Sequence, residues 1–347
     1  MELELKELNK YLLGDRNQNL KDKDSQAIVN QSEITHSWQP TKKYFERRSG
    51  EVTSIAVAYD ASFLAFRYGR TIAIRTLTNF ELRYLNIEEK CLANIPTPIV
   101  VSKDKKWLVS GMIAFPDVNV VNVWEISSCK QVASFKGHDW SQDGRIKSVA
   151  ITSDTENNKI VLSGGNDCVV RIWDLKSQGK LGEFKEHSSP VKAIIINENN
   201  QTIVSGDGEG IIKFWNLWTK ETICSFKAHS ESINSLAISP DVKLIASAGD
   251  DREIKLWDAE TGKLLSTLEK HSASINSVTF SSDSRLLASG DSNGCIEIWN
   301  LETNKPMLIV SKHDKSVTSL AFMPNEPILI SGSKDRTIKV WELIEHE

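Results

Sequence analysis

HSESINSLAISPDVKLIASAGDDREIKLWD, running from His229 to Asp258, is the stretch that decides the fold. It contains three short β-favouring runs, Ser235-Leu236-Ala237-Ile238, Leu244-Ile245-Ala246-Ser247 and Ile254-Lys255-Leu256-Trp257, each bounded by turn residues. Ser239-Pro240-Asp241 and Gly249-Asp250-Asp251 separate them, supplying a fixed proline φ, a permissive glycine and local Asx hydrogen bonds. A fourth run, Gly262 to Leu268, follows. Outward from this stretch the pattern returns at a constant interval. Trp173, Trp215, Trp257, Trp299 and Trp341 stand 42 residues apart, and His187, His229, His271 and His313 each precede the next tryptophan by 28. Two residue types on one period mark a repeat protein, and four strands in about 42 residues make a β-propeller blade.

Toward the amino end the period loosens. Trp124 lies 49 residues before Trp173, and His138 lies 35 before it, so insertions interrupt the earlier units. Aligning Val52-Thr53-Ser54-Ile55-Ala56-Val57 with Ile233 to Ile238 places Arg75 at the tryptophan position of a first unit. Seven units result. The dipeptides Trp173-Asp174 and Trp257-Asp258, with the related Trp215-Asn216, Trp299-Asn300 and Trp341-Glu342, and Gly137-His138 at one unit's opening, resemble the signature of the WD-repeat family. The resemblance covers residues 41–347 and implies an all-β, seven-bladed propeller of four-stranded antiparallel blades. Residues 1–40 read as an extension: Leu5, Leu8 and Leu12 have the spacing of a short amphipathic helix ended by Gly14, and residues 15–37 form a polar linker.

A propeller must also close its ring. Only six residues follow Trp341, too few for an outer strand in the last blade. Counting back from Val52 as one counts back from Ile275 aligns Tyr44-Phe45-Glu46-Arg47-Arg48 with Thr267 to His271. An amino-terminal strand over residues 41–47 is therefore expected to complete that blade.

His229, Ser247 and Asp251 are the residue types of a hydrolase triad, but the same set recurs as His138, Ser163, Asp167 with Trp173 and as His313, Ser331, Asp335 with Trp341. One ring has no use for three identical active sites. The family resemblance implies instead structural tetrads, in which indole, hydroxyl, imidazole and carboxylate satisfy one another. At the aspartate position two units depart, with Glu209 beside His187, Ser205 and Trp215, and Asn293 beside His271, Ser289 and Trp299. Five of the seven histidines are thereby assigned, leaving His36 and His346, so neither a metal site nor any other cofactor is expected.

Residues that break a period are the informative ones, because loops tolerate change and carry function. One insertion, Met112-Ile113-Ala114-Phe115-Pro116-Asp117, lengthens the hairpin between the second and third strands of blade 2. The other, Asp139-Trp140-Ser141-Gln142-Asp143-Gly144-Arg145, follows His138. By the family's geometry both project from the same face of neighbouring blades. Met112, Ile113, Phe115 and Trp140, flanked by Asp117, Asp139, Asp143 and Arg145, then either form a partner-binding surface with aromatic anchors or pack on each other.

Forty-two Lys and Arg against 46 Asp and Glu leave a formal charge of −4, without the basic field of direct nucleic-acid binding. No segment is long and apolar enough for a membrane span. The start lacks a secretory pattern, and five scattered cysteines suit a reducing compartment. A cytoplasmic location and a monomeric propeller are expected. The leading function is a non-enzymatic scaffold or adaptor for a protein or peptide. The alternatives are an enzyme or small-ligand receptor using the central channel, and a subunit of an RNA- or chromatin-associated complex.

Overall fold

The computed structural model describes residues 35–40, 50–79, 81–85, 87, 97–114, 118–138, 144–154, 156–199, 201–268, 271–310 and 313–346. They form 28 strands. The first, β1 (Thr35–Pro40), stands apart from the blade that follows it. Blade 1 is β2 (Val52–Val57), β3 (Phe63–Tyr68), β4 (Thr71–Thr76) and β5 (Leu82–Tyr84). Blade 2 is β6 (Ile99–Val101), β7 (Trp107–Ala114), β8 (Val118–Glu125) and β9 (Lys130–His138), and blade 3 is β10 (Ile146–Ser153), β11 (Lys159–Gly165), β12 (Val170–Asp174) and β13 (Gly179–Phe184). Blade 4 comprises β14 (Val191–Asn197), β15 (Thr202–Asp207), β16 (Ile211–Asn216) and β17 (Thr222–Lys227); blade 5 comprises β18 (Ile233–Ile238), β19 (Leu244–Gly249), β20 (Ile254–Asp258) and β21 (Leu264–Leu268). Blade 6 has β22 (Ile275–Phe280), β23 (Leu286–Asp291), β24 (Ile296–Asn300) and β25 (Lys305–Val310), and blade 7 has β26 (Val317–Phe322), β27 (Ile328–Ser333) and β28 (Ile338–His346). Every blade is a four-stranded antiparallel sheet in the order of the chain, and β1 is the fourth strand of blade 7.

The pairing of β1 with β28 runs from Thr35 opposite His346 to Pro40 opposite Trp341. Residues 41–47, where the closing strand was expected, lie outside the described residues apart from their position after β1. The strand beside β28 comes from the stretch assigned to the extension. The reason is a long connection. Eleven residues, 41–51, separate β1 from β2, against five between β17 and β18 and six between β21 and β22, so a count back from Val52 at the regular spacing stops too soon.

The first strand of each blade packs against those of its neighbours around the axis. Their side chains also stitch the ring. Ser54, Ser148, Ser235, Ser277 and Ser319 each accept through Oγ a hydrogen bond from a backbone N–H of the following blade, those of Ile99, Ile194, Val278, Leu320 and Ile55, at 2.9–3.1 Å. The equivalent positions in blades 2 and 4 are Pro98 and Ala193, which have no hydroxyl.

Between successive blades lies an apolar core, and six of the seven contain a tryptophan facing the preceding blade: Trp124, Trp173, Trp215, Trp257, Trp299 and Trp341. The core between blades 7 and 1 has none. There Leu64 and Phe66 fill the space with Val52 and Ile55, and Phe66 stacks on Tyr68 at 6.0 Å. Packing this tight keeps the residue after the tetrad serine small, glycine in blades 3, 4, 6 and 7 and alanine in blade 5. A Cβ on Gly164 or Gly290 would come within 2.6 or 2.5 Å of Val191 or Val317 of the next blade, closer than a packed core tolerates.

Candidate functional site

In blades 4 to 7 the histidine arrives from the connection preceding the first strand, and in blade 3 it is the last residue of β9; in each it meets a serine on the second strand, which is joined in turn to a tryptophan on the third. In blade 5, Trp257 Nε1 donates to Ser247 Oγ at 2.8 Å, Ser247 Oγ lies 2.6 Å from His229 Nε2, and His229 Nδ1 lies 2.9 Å from Asp251. The direction of donation follows: indole to hydroxyl, hydroxyl to Nε2, Nδ1–H to carboxylate. Blade 3 repeats it with Trp173, Ser163, His138 and Asp167 at 2.9, 2.7 and 2.9 Å, and blade 7 with Trp341, Ser331, His313 and Asp335 at 2.8, 2.7 and 2.7 Å. In blade 3, Arg171 also donates to Asp167 at 2.5 Å.

Blades 4 and 6 hold the same relay, but Glu209 and Asn293 take no part in it. Asp207 and Asp291 are the carboxylates, 2.8 and 3.2 Å from His187 and His271 Nδ1. They lie two residues after the serine, whereas Asp167, Asp251 and Asp335 lie four after it. Both offsets reach one imidazole because the chain turns back between them: Asp207 accepts from the N–H groups of Glu209 and Ile211, and Asp291 from those of Asn293 and Cys295, so one carboxylate binds the histidine and closes the turn. In the other three blades the earlier position is Gly165, Gly249 or Ser333. Glu209 is instead an acceptor for Ser188 Oγ at 3.2 Å.

This geometry opposes nucleophilic chemistry. A catalytic serine needs an exposed Oγ with a lone pair free to attack. Ser163, Ser205, Ser247, Ser289 and Ser331 are fully buried, and each Oγ already accepts an indole N–H. Burial pushes His138, His229 and His313 below the ordinary imidazole value, against the pull of their aspartates. Burial alone would raise the aspartates, but contacts from histidine and backbone or arginine donors outweigh it and hold Asp167, Asp207, Asp251, Asp291 and Asp335 below the usual carboxylate range. In blades 3, 5 and 7 neutral imidazole beside carboxylate is thus the resting state.

Blades 1 and 2 fill the slot differently. In blade 1, Phe66 occupies the serine position and Arg75, paired across to Leu64, the tryptophan position. Blade 2 keeps Ser110 and Trp124 at those positions. Ser110 receives a hydrogen bond from Arg67 of blade 1 at 3.1 Å and donates to the carbonyl of Pro98 at 3.0 Å. Arg67 is 2% exposed. It stands where Gly111, Gly164, Gly206, Ala248, Gly290 and Gly332 stand in the other blades, and nothing in its local sequence marks this role except that break in a small-residue position.

The candidate partner surface changes shape. Residues inserted after Gly111 continue β7, and Val118–Val120 begin β8, with Met112 opposite Val120 and Ile113 opposite Asn119. Strand alternation turns the two side chains to opposite faces of the blade, and both are buried. Met112 is 1% exposed, in one core with Val120 and Trp124, and Ile113 is 4% exposed. Neither lines a surface. Arg145 is half-buried, while Phe115, Asp117, Asp139, Trp140 and Asp143 lie outside the described residues. Asn119 pairs with His138, so the strands leading to and from the two insertions are hydrogen-bonded neighbours. Among the described residues no group of three or more His, Cys, Asp or Glu is placed to hold a metal, and no helix is long and apolar enough to cross a membrane.

Comparison with known proteins agrees with the architecture. Residues 199–343 match the family described as WDR36/Utp21 first beta-propeller, and residues 99–257 match Nucleolar protein 10-like, N-terminal domain. Methylosome protein WDR77 of Xenopus laevis is 29% identical over 108 residues, 31% of this chain and 31% of its own; the similarity spans about a third of that relative. The expected cytoplasmic location is corrected by these families, which point to a nucleolar or nuclear setting. The two family matches overlap, each over less than half of the chain, and together with the likeness to WDR77 and the seven four-stranded blades they support a WD-repeat β-propeller.

Proposed function

We infer that the protein is a non-catalytic platform that binds a protein or peptide within an RNA-associated assembly. The observation that carries this reading is the capping of all five tetrad serines. The residues that most resemble catalytic machinery are consumed by the scaffold, and the ring's repeated chemistry serves rigidity. The matched families, one of them named for a nucleolar protein, support the RNA-associated setting, and the net charge of −4 supports contact through protein components rather than nucleic acid itself.

The binding surface in this reading is the paired insertion of blades 2 and 3, with Phe115 and Trp140 as anchors and Asp117, Asp139, Asp143 and Arg145 around them. The pairing of Asn119 with His138 supports it, because it roots both insertions side by side. Met112 and Ile113 are foundation, not surface. The test is affinity capture from the native organism with mass spectrometry, comparing the natural chain with Phe115→Ser plus Trp140→Ser. Loss of a reproducible partner at unchanged melting temperature is expected. Retention of every partner, or a collapse in stability, would assign the two aromatics to packing.

A further inference from the structure

The opposite face of the ring, where turns join the first and second strands of each blade, carries a different feature. At this end of the first strands Tyr59, Lys103, Ser153, Glu198, Pro240, Ser282 and Pro324 occupy equivalent positions in blades 1 to 7, in the turn or, for Ser153, at the end of the strand. Lys103 of blade 2 reaches over blade 3 and forms an ion pair with Glu198 of blade 4. The same two residues line a pocket of about 210 Å³, together with Ile151, Thr152, Lys159 and Gln201.

We propose that this pocket receives an arginine side chain of a protein partner, and that Lys103 is the internal stand-in which such an arginine displaces. Its volume falls below that of sites for drug-sized ligands and suits one side chain. Its vacant capacity is for donors. Glu198 is an acceptor with Thr152 Oγ1 donating to its other oxygen at 3.4 Å, while Gln201 Oε1 is buried with no hydrogen-bond partner among the described residues. A lone ammonium serves the carboxylate; the planar five-donor fork of a guanidinium can address carboxylate and amide carbonyl together. The positive wall does not oppose entry, because Lys159 is held by Asp104 at 2.9 Å and by Ser153 Oγ at 2.7 Å. A displaced Lys103 has a resting place, since its Nζ already lies 5.8 Å from the centroid of the exposed Tyr59 ring.

The site is on the face opposite the blade 2 and 3 insertions, so it stands or falls apart from the partner capture described above. The probe is a fluorescein-labelled Gly-Gly-Arg-Gly-Gly peptide, with its citrulline counterpart as the uncharged isostere, titrated by anisotropy against the full chain at low salt. Lys103→Ala, with Lys103→Gln as a second form, should bind the arginine peptide roughly fivefold more tightly, the competition expected of an exposed ion pair. Glu198→Gln should lose at least about tenfold, as removal of a charged acceptor does, and the citrulline peptide should bind poorly throughout. Equal or weaker binding by both Lys103 variants, as an anion site would give, overturns the proposal. So do indifference to Glu198→Gln, equal binding of citrulline, or no binding by any variant.

Discussion

Blades 3 to 7 and blades 1 to 2 solve one problem in two ways. In the regular blades a histidine from the adjoining connection, or in blade 3 from the end of β9, and an aspartate from the blade's own turn satisfy a buried serine and indole, so blades 4 to 7 complete their polar interiors nearly alone. In blade 2 the serine is completed by Arg67, a side chain of its neighbour, and in blade 1 the slot has become apolar with Phe66. Local completion makes a blade repeatable. Borrowed completion makes two blades one unit, because neither can be changed without the other.

The largest effect should come from the regular side. Trp215→Ala removes a fully buried indole together with the donor to Ser205, and a loss of about 3–5 kcal/mol is expected in denaturant unfolding. A loss within 1 kcal/mol would mean that the tetrad is not what holds these blades. Arg67→Ala should cost roughly 2 kcal/mol, and a double-mutant cycle with Ser110→Ala should show a coupling of about 1 kcal/mol across the blade boundary. Strict additivity would dissolve the distinction between local and borrowed completion.

A pH titration separates the two regions further. An unfolded imidazole protonates near pH ~6.5, whereas burial keeps His138, His229 and His313 neutral to lower pH. The unfolded chain therefore binds more protons in that range, and stability falls as pH drops through about 6.5. The depressed aspartates contribute stability that is present above the unfolded carboxylate value and is lost as pH falls further through about 4. The melting temperature should thus decline by several degrees from pH 7 to 5, and amide exchange should rise in blades 3, 5 and 7 before blades 1 and 2. Uniform behaviour would contradict the comparison. The smallest effect is a gain: Ala193→Ser should supply the missing stitch to blade 5 and stabilise the ring by about 0.5–1 kcal/mol, with Ser235→Ala losing a similar amount.

Much of this was legible in the residues. The 42-residue spacing from Trp173 to Trp341 led to seven blades, because a tryptophan that packs on the preceding blade must recur once per blade. The serines and histidines followed for the same reason. What escaped were features not tied to a fixed offset. Asp207 and Asp291 were passed over for Glu209 and Asn293 because a turn brings two positions to one imidazole, and a linear count sees only one of them. The apolar Met112 and Ile113 read as loop, although an inserted pair of residues on each side of a hairpin can lengthen strands and keep their alternation. Arg67 was invisible because its partner belongs to another blade.

The inner serine stitches have a mechanical consequence. With links absent at Pro98 and Ala193, the ring is a bracelet of two arcs, blades 5-6-7-1-2 and blades 3-4, joined at two clasps. Across the clasp between blades 2 and 3 the apolar core around Trp173 is supplemented by ion pairs, Lys159 with Asp104 and the long reach of Lys103 to Glu198. Dissolved salt, which leaves a buried hydroxyl link almost untouched, weakens such ion pairs, so this is the seam that ionic strength loosens, on the face opposite the insertion that follows His138.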